Sequence, residues 1–427
     1  MIQIIPVSGI NTAIEVPGSK SLTQRALIAA ALAKGKSTLT APLASEDTSY
    51  TIAALRAMGI DIDDRDGNEW RIQGGGGLIR VPAGDIDLGN NGTATRFLTS
   101  VAALGHGRFH ITGDRRMAER PIAPLMKALQ GWGVRITSDA DNGCPPLTIE
   151  ADGLTGGRTV LPAGKSSQYL SSLLLVAPYA AKPAELEVQG DILSQPYVLM
   201  TIAVMADFGI MVEAAPSLGI FRVSQGVYTG REYRIEGDAS GASYFWAAAA
   251  VTGGRVTVTN IPVPSMQGDI GLVPLLARMG CQVHQAGTGL TVQGPEQLQG
   301  IEADMGNMPD VAPTLAVVAA FAEGPTVINN IAHLRIKECD RITAMVTELR
   351  KMGAEVEEEP DRMIIHGRAG GSNLHGAEIE TYHDHRIAMC FAVAGLRVPG
   401  VKITGEECVA KSFPDFWERF SQLWGEK

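Results

Sequence analysis

Apolar and polar positions along the chain fall into helix-like and strand-like stretches, and one combination recurs. A stretch with helical apolar period ends in a bulky residue and a glycine, and a short apolar–polar alternation follows. It is read at Met58-Gly59-Ile60-Asp61-Ile62, Trp132-Gly133-Val134-Arg135-Ile136 and Phe208-Gly209-Ile210-Met211-Val212. It is read again at Met279-Gly280-Cys281-Gln282-Val283 and Met352-Gly353-Ala354-Glu355-Val356. A glycine directly after a helix fits the C′ position, where positive φ costs glycine little. Successive glycines lie 74, 76, 71 and 73 residues apart, and one more such step reaches Trp424-Gly425. Self-similarity at a fixed period marks repeated supersecondary units, here six.

The sixth unit runs out before its last strands, and Met1–Val7 is a β-like segment with no unit of its own. The N-terminal strand is therefore expected to complete the last unit. Three units to a domain puts domain one at 18–236, inserted in domain two, 1–17 plus 237–427. The chain then crosses near Pro17-Gly18 and near Glu236-Gly237-Asp238, and a cleft between the domains is the expected ligand site. Within a unit the pattern predicts a first helix (Ser21–Ala33, Ser240–Val251) and a strand (Arg255–Thr259). A second helix (Ile270–Met279) and a hairpin (Gln282–Gln293) follow. Strands alternating with helices predict a mixed α/β class. The run Gly74–Gly77 reads as a flexible loop.

The length of 427 residues suits two or three domains of roughly 150 residues. With 45% hydrophobic and 19% charged residues, disorder is excluded. Lys plus Arg number 36 against 46 Asp plus Glu, a net charge of -10, which argues against a general binder of nucleic acid or anionic membrane. An anionic small molecule can still be held where the cations converge. The cysteines, Cys144, Cys281, Cys339, Cys390 and Cys408, are odd in number with no C-x-x-C pair, which points to a reducing compartment. Met1–Pro6 lacks the basic region of a signal peptide. Apolar runs such as Leu315–Ala322 are less than half of a ~20-residue membrane span. A soluble, cytoplasmic protein is expected.

Familiar motifs fail on their spacing. Pro162-Ala163-Gly164-Lys165-Ser166 resembles the end of a phosphate-binding loop, but Thr159 stands where that loop needs glycine. No dinucleotide fingerprint or nucleophile elbow is present. His383-Asp384-His385 has no third metal ligand in evidence.

What stands out is a set of cationic, hydroxyl-rich segments at the predicted starts of first helices. They are Gly18-Ser19-Lys20-Ser21-Leu22-Thr23-Gln24-Arg25, Asn90-Asn91-Gly92-Thr93-Ala94-Thr95-Arg96, Lys165-Ser166-Ser167-Gln168 and Asp384-His385-Arg386. A helix N-terminus presents unpaired N–H groups and a positive dipole end, which suit phosphate or carboxylate. Taken singly, Ser, Thr and Asn there are ordinary N-caps. Four such segments, each with a Lys or Arg in reach, point to anion binding. Glu119-Arg120-Pro121, Arg335-Ile336-Lys337-Glu338-Cys339-Asp340-Arg341 and Ala410-Lys411-Ser412 add further charge. Lys337 and Arg341 are four apart and share a face if both are helical. Asp310 precedes an apolar run, where a helix cap is the ordinary reading.

Gly18-Ser19-Lys20-Ser21, Leu88-Gly89-Asn90 with Gly92-Thr93-Ala94 and Arg96, Glu119-Arg120-Pro121-Ile122 and Lys337-Glu338 with Asp340-Arg341 resemble the 5-enolpyruvylshikimate-3-phosphate (EPSP) synthase family. So do Asp384-His385-Arg386 and Lys411 with Phe413-Pro414, and the matches run in order over essentially the whole chain. The resemblance implies the two-domain enolpyruvyl transferase fold: six βαβαββ-type repeats, three per domain around a pseudo-threefold axis. It implies transfer of the enolpyruvyl group of phosphoenolpyruvate to the 5-hydroxyl of shikimate 3-phosphate, with release of phosphate. That step leads towards chorismate and the aromatic amino acids, with no metal or organic cofactor, and the family suggests a monomer. By the same resemblance, phosphoenolpyruvate meets Lys20, Asn90, Gly92, Thr93, Arg120, Gln168, Arg341, His385, Arg386 and Lys411. Shikimate 3-phosphate meets Lys20, Ser21, Arg25, Ser166, Ser167, Gln168, Ser194, Tyr197, Asp310, His333 and Lys337. Asp310 accepts the hydroxyl proton and Glu338 donates to the methylene, with Lys20 a competing candidate in the proton traffic.

Three positions depart from the family's bacterial pattern. Asn91 replaces a small residue, Phe97 follows Arg96 where proline is common, and His333 stands where Asn commonly contacts shikimate 3-phosphate. Glyphosate competes at the phosphoenolpyruvate pocket in this family. Gly92 leaves it room and Phe97 can shift the helix, so sensitivity with altered affinity is expected. The related UDP-N-acetylglucosamine enolpyruvyl transferases place a reactive Cys before their Arg-Pro, and Gly113–Arg120 contains none. A nucleic-acid-processing protein on a related repeat is disfavoured by the net charge. A non-catalytic anion binder gains nothing from Asp310 and Glu338.

Overall fold

The structure is a computed structural model that describes residues 1–162, 166–287 and 289–424. Ala163, Gly164 and Lys165, and the last repeat glycine, Gly425, lie outside the described residues. Contacts divide the chain into one unit of Lys20–Ile235 and another of Met1–Ser19 with Glu236–Lys427. Within the second unit the two connecting segments are bound to each other. Gly18 bridges Gly237, and the Ser19 N–H donates to Glu236 O at 2.8 Å.

Six apolar helices begin the repeats: α1 (Lys20–Leu32), α2 (Gly92–Ala102), α3 (Ser167–Val176), α4 (Ala239–Thr252), α5 (Ala312–Ala319) and α6 (His385–Gly395). Almost every residue of each is buried, as expected of helices apolar all round. Second helices, such as Glu46–Ala57, Ala123–Gly131 and Arg341–Lys351, bury one face only. The repeat glycines follow these second helices. Gly59, Gly133, Gly209, Gly280 and Gly353 have φ of +92°, +86°, +92°, +107° and +89°, the left-handed C′ geometry that the sequence pattern predicts.

Among the described residues each unit holds three sheets built to one rule, the sixth with three strands. In Lys20–Ile235 the second sheet runs Ile86–Asp87, His106–Thr112, Leu147–Asp152, Arg135–Ser138, with the first pair parallel and the rest antiparallel. The third follows the same rule with Gly157–Pro162, Ala184–Gln189, Ile220–Val223 and Val212–Ala214. The first sheet borrows its parallel edge from the far end of the unit, where Glu232–Arg234 pairs with Thr38–Thr40. The other unit closes likewise. Asn11–Ile14 pairs parallel with Arg255–Val258, and Ile2 and Gln3 pair antiparallel with Ile403 and Lys402. The N-terminal strand thus completes the sixth sheet, as expected. Each unit has its own core; Trp70 and Trp132 anchor one and Trp246 the other.

The reading of Gly74–Gly77 as a loop needs correction. Gly74 and Gly75 end the strand Glu69–Gly75, paired with Gly35 and Lys34. A Cβ at Gly74 would lie 2.2 Å from Ala33 O, so glycine is there because the end of α1 passes against the strand. Only Gly76 and Gly77 turn the chain.

Candidate active site

The Lys20–Ile235 unit gathers its predicted residues at the N-termini of α1, α2 and α3. Lys20 opens α1, and its Nζ is 3.0 Å from Asp47 Oδ2. Asp47 is buried in the first turn of Glu46–Ala57, where a carboxylate is favoured. Asn91 caps α2: its Oδ1 accepts from the Ala94 N–H at 2.9 Å, and its Nδ2 donates to Asp47 O at 2.5 Å. The departure from a small residue at 91 therefore ties α2 to the segment that holds Lys20. Arg120 lies against the start of α2, donating from Nη1 to Asn90 Oδ1 at 3.0 Å and Asn90 O at 3.3 Å. A Cβ at Gly92 would sit 2.4 Å from Arg120 Nη2, so the glycine makes room for the guanidinium. Gln168 Nε2 donates to Thr93 Oγ1 at 3.0 Å, linking α3 to α2.

Arg25 is buried one turn into α1. It donates to Thr201 Oγ1 (2.7 Å), Ser21 O (2.9 Å), Tyr197 O (3.1 Å) and Ser171 Oγ (3.4 Å). Its guanidinium lies over the rings of Phe97, 5.4 Å from the centroid, and Tyr197 at 5.8 Å. Burial brings its pKa down to about 10, partly offset by Tyr197. It is charged at neutral pH with neutral oxygens around it, which suits an anionic ligand. Phe97 is thus a buried platform under Arg25. Ser166 caps α3 through the Gln168 N–H at 3.2 Å, Ser167 is its first residue, and Ser194 (φ 57°) starts the helix Gln195–Asp207 that carries Tyr197.

The other unit assembles a charge cluster. Arg341, 1% exposed, opens the helix Arg341–Lys351. Its Nε donates to Asp384 Oδ2 at 2.7 Å and its Nη2 to Asp384 Oδ1 at 3.1 Å and Glu338 Oε2 at 2.8 Å. Its Nη1 donates to Asp310 Oδ1 at 3.3 Å. Burial works against the Arg341 charge, but Asp384, Glu338 and Asp310 outweigh it and raise the pKa. Asp310 also accepts from Arg386 Nη2 at 2.6 Å and has Lys337 Nζ 3.9 Å away. Asp310 is therefore an ion-pair centre and not the helix cap that its position suggests. Lys337 and Arg341 do not share a helix. A 3-10 turn ends at Ile336 and a new helix, capped by Asp340, begins at Arg341; the two cations meet through Asp310.

Arg386 and His385 open α6 under the Asp384 cap, His385 fully buried, and Arg386 Nη1 reaches Tyr244 Oη at 3.4 Å. Lys411 is buried at the end of the turn Glu406–Lys411. His333 is 7% exposed, and neither ring nitrogen has a hydrogen-bond partner among the described residues. Burial, then Lys337 and Arg341, bring its pKa down to about 4 against the pull of Asp310, so the ring is neutral at physiological pH.

Sequence reasoning missed the carboxylates that hold the cations. Asp47 orients Lys20, and Asp384 grips Arg341 across 43 residues. The cap signal before α6 marks Asp384, but only the fold reveals its second partner. Asp269 is a further buried carboxyl near this cluster, bonded by Ser240 Oγ, its pKa raised by burial and by the neighbouring Asp310.

Five βαβαββ repeats and a sixth closed by the N-terminal strand, with cations fixed at helix N-termini, define an enolpyruvyl transferase fold. The sequence profile described as EPSP synthase (3-phosphoshikimate 1-carboxyvinyltransferase) matches residues 4–420. The chain is 45% identical over 419 residues to the 3-phosphoshikimate 1-carboxyvinyltransferase of Trichormus variabilis, covering 98% of this chain and 97% of that one. With that of Methanoregula boonei it shares 43% over 425 residues, covering 99% and 100%. A solved EPSP synthase from Acinetobacter baumannii superposes with a TM-score of 0.82 at 30% identity, covering 99% of this chain and 97% of that one. The chain belongs to the EPSP synthase family. Among the described residues no helix is long and apolar enough to cross a membrane.

Proposed function

We propose that Asp310, Glu338 and the cations around them carry the reaction of this enzyme. That reaction moves the enolpyruvyl group of phosphoenolpyruvate to the 5-hydroxyl of shikimate 3-phosphate and releases inorganic phosphate. The observation that carries the reading is Asp310, a partly exposed carboxylate between Arg386 (2.6 Å) and Arg341 (3.3 Å), with Glu338 on the same Arg341 (2.8 Å). Two acids and two fixed guanidiniums in one cluster supply a base, an acid and anion ligands together.

Asp310 accepts the proton of the 5-hydroxyl as its oxygen attacks the donor carbon, while Glu338 protonates the methylene. In the second step the new methyl group returns a proton to Glu338 and the phosphate leaves. Lys20, held at 3.0 Å by Asp47, is the alternative carrier of that proton. Lys20, Asn90, Gly92, Thr93, Arg120, Gln168, Arg341, His385, Arg386 and Lys411 take phosphoenolpyruvate. Lys20, Ser21, Arg25, Ser166, Ser167, Gln168, Ser194, Tyr197, His333 and Lys337 take shikimate 3-phosphate, with Asp310 at its hydroxyl. Each charge-assisted bond contributes about 1.5–3 kcal/mol. The cations also stabilise the tetrahedral adduct and the departing phosphate. The enzyme works as a cytoplasmic monomer.

Phosphate release from phosphoenolpyruvate tests this with shikimate 3-phosphate, UDP-N-acetylglucosamine or no acceptor. Release with the first alone is expected. Release with the second, or without acceptor, overturns it.

A further inference from the structure

Asp384, His385 and Arg386 are delivered by a segment in an unfavourable backbone conformation. Tyr382 and His383, immediately before the cap of α6, both have φ of 54°, a left-handed region that side chains other than glycine rarely occupy. Two such residues in succession persist only when the surroundings hold them. The holding group is Glu348. Its carboxylate is 0% exposed and accepts from Tyr382 Oη at 2.7 Å through Oε1 and from the Glu380 N–H at 3.1 Å through Oε2. Lys351 Nζ, 2.9 Å from Oε1, is its counter-charge.

Glu348 sits near the C-terminus of the helix Arg341–Lys351, where a carboxylate is disfavoured by the helix dipole. It is buried there against local preference. Arg341 begins the same helix, and positions seven apart fall on one face. One helix therefore grips the segment Glu380–Asp384 twice, by Arg341 at Asp384 and by Glu348 at Tyr382 and Glu380. Between the grips, the Asp384 N–H donates to Thr381 O at 2.8 Å and closes the turn.

We infer that Glu348 is a positioning residue for phosphoenolpyruvate binding: it holds the Tyr382-His383 turn so that Asp384 orients Arg341 and Arg386 enters the site. The inference rests on the assignment of Arg341 and Arg386 to phosphoenolpyruvate. Steady-state constants for both substrates are measured for Glu348→Ala, Glu348→Gln, Tyr382→Phe and Arg386→Lys, with circular dichroism melts. For folded Glu348→Ala, KM for phosphoenolpyruvate rises about tenfold or more, while KM for shikimate 3-phosphate stays within about twofold. Glu348→Gln, which keeps one acceptor, recovers part of the loss. Tyr382→Phe gives a smaller rise with the same selectivity, and it decides alone if Glu348→Ala does not fold. Equal rises for both substrates, or no rise in a folded variant, overturn the inference. If Arg386→Lys raises KM for phosphoenolpyruvate and the Glu348 and Tyr382 variants do not, the positioning role alone fails. If Arg386→Lys also leaves it unchanged, the ligand assignment fails and takes the positioning role with it.

Discussion

Gly92→Ala separates the stability of this enzyme from its affinity for one substrate. Gly92 is the first residue of α2 and lies outside the positive-φ set, so alanine fits its backbone. The added Cβ would meet Arg120 at 2.4 Å from Nη2, 2.7 Å from Cζ and 2.9 Å from Nη1. Ordinary contact needs about 3.5 Å, so the guanidinium must retreat by about 1 Å. Its bonds to Asn90 Oδ1 and Asn90 O, at 3.0 and 3.3 Å, cannot both survive that shift. The intruded group is the far end of a flexible side chain, and alanine favours the helix by up to ~1 kcal/mol over glycine. The melting temperature therefore stays within about 4 °C. Loss of one charge-assisted bond to phosphoenolpyruvate costs about 1.5–3 kcal/mol. That is roughly a 10- to 150-fold rise in its KM, with KM for shikimate 3-phosphate unchanged. Phosphate release with each substrate varied in turn measures both. Unchanged affinity for phosphoenolpyruvate, or equal losses for both substrates, would refute the reasoning.

Further tests follow from other parts of the structure. Asp310→Asn keeps the shape but cannot take a proton, so kcat falls by about 100-fold or more in a rapid-quench or phosphate assay; a near-normal kcat places the base elsewhere. His333 is neutral in the folded protein down to about pH 4, whereas the unfolded chain binds its proton near 6.5. It contributes stability above pH 6.5 that is lost as pH falls towards 4, at most roughly 3 kcal/mol. Chemical denaturation of His333→Asn from pH 7 to 4 should show a shallower loss than wild type, and parallel curves would contradict the assignment. Gly353→Ala should melt lower than Gly209→Ala. Both have left-handed φ, but a Cβ at Gly353 meets Asn373 O at 2.8 Å, while at Gly209 nothing is nearer than Thr229 Oγ1 at 3.7 Å. Glyphosate should compete with phosphoenolpyruvate, since Gly92 lets the Arg120 guanidinium lie against the start of α2; a millimolar inhibition constant with normal phosphoenolpyruvate affinity would contradict that.

The repeat was legible because its signal is local. A helix that ends at a left-handed glycine writes that glycine at a fixed place, and five of the six are observed at φ between +86° and +107°. The starts of the first helices were legible for the same reason, since Asn91, Ser166 and Asp384 are caps whose chemistry lies within three residues. What stayed hidden is long-range. Nothing near Asp384 in sequence points to Arg341, and nothing near Glu348 points to Tyr382. Lys337 and Arg341 would share a face only if both were helical, and a cap decides against it: Asp340 accepts from the Thr343 N–H at 3.2 Å and starts a fresh helix. Gly74 looked like a loop because the carbonyl that demands it, Ala33 O, comes from forty residues upstream.

The borrowed edge strands govern how this chain leaves the ribosome. All three sheets of the Lys20–Ile235 unit draw their strands from within it, between Lys34 and Arg234, so that unit can close while synthesis continues. Asn11–Ile14 must wait for Arg255–Val258, and Ile2 must wait for Ile403. These early strands emerge long before their partners and wait, while the intervening unit is made, as bare β-edges of the kind that chaperones cover and aggregates recruit.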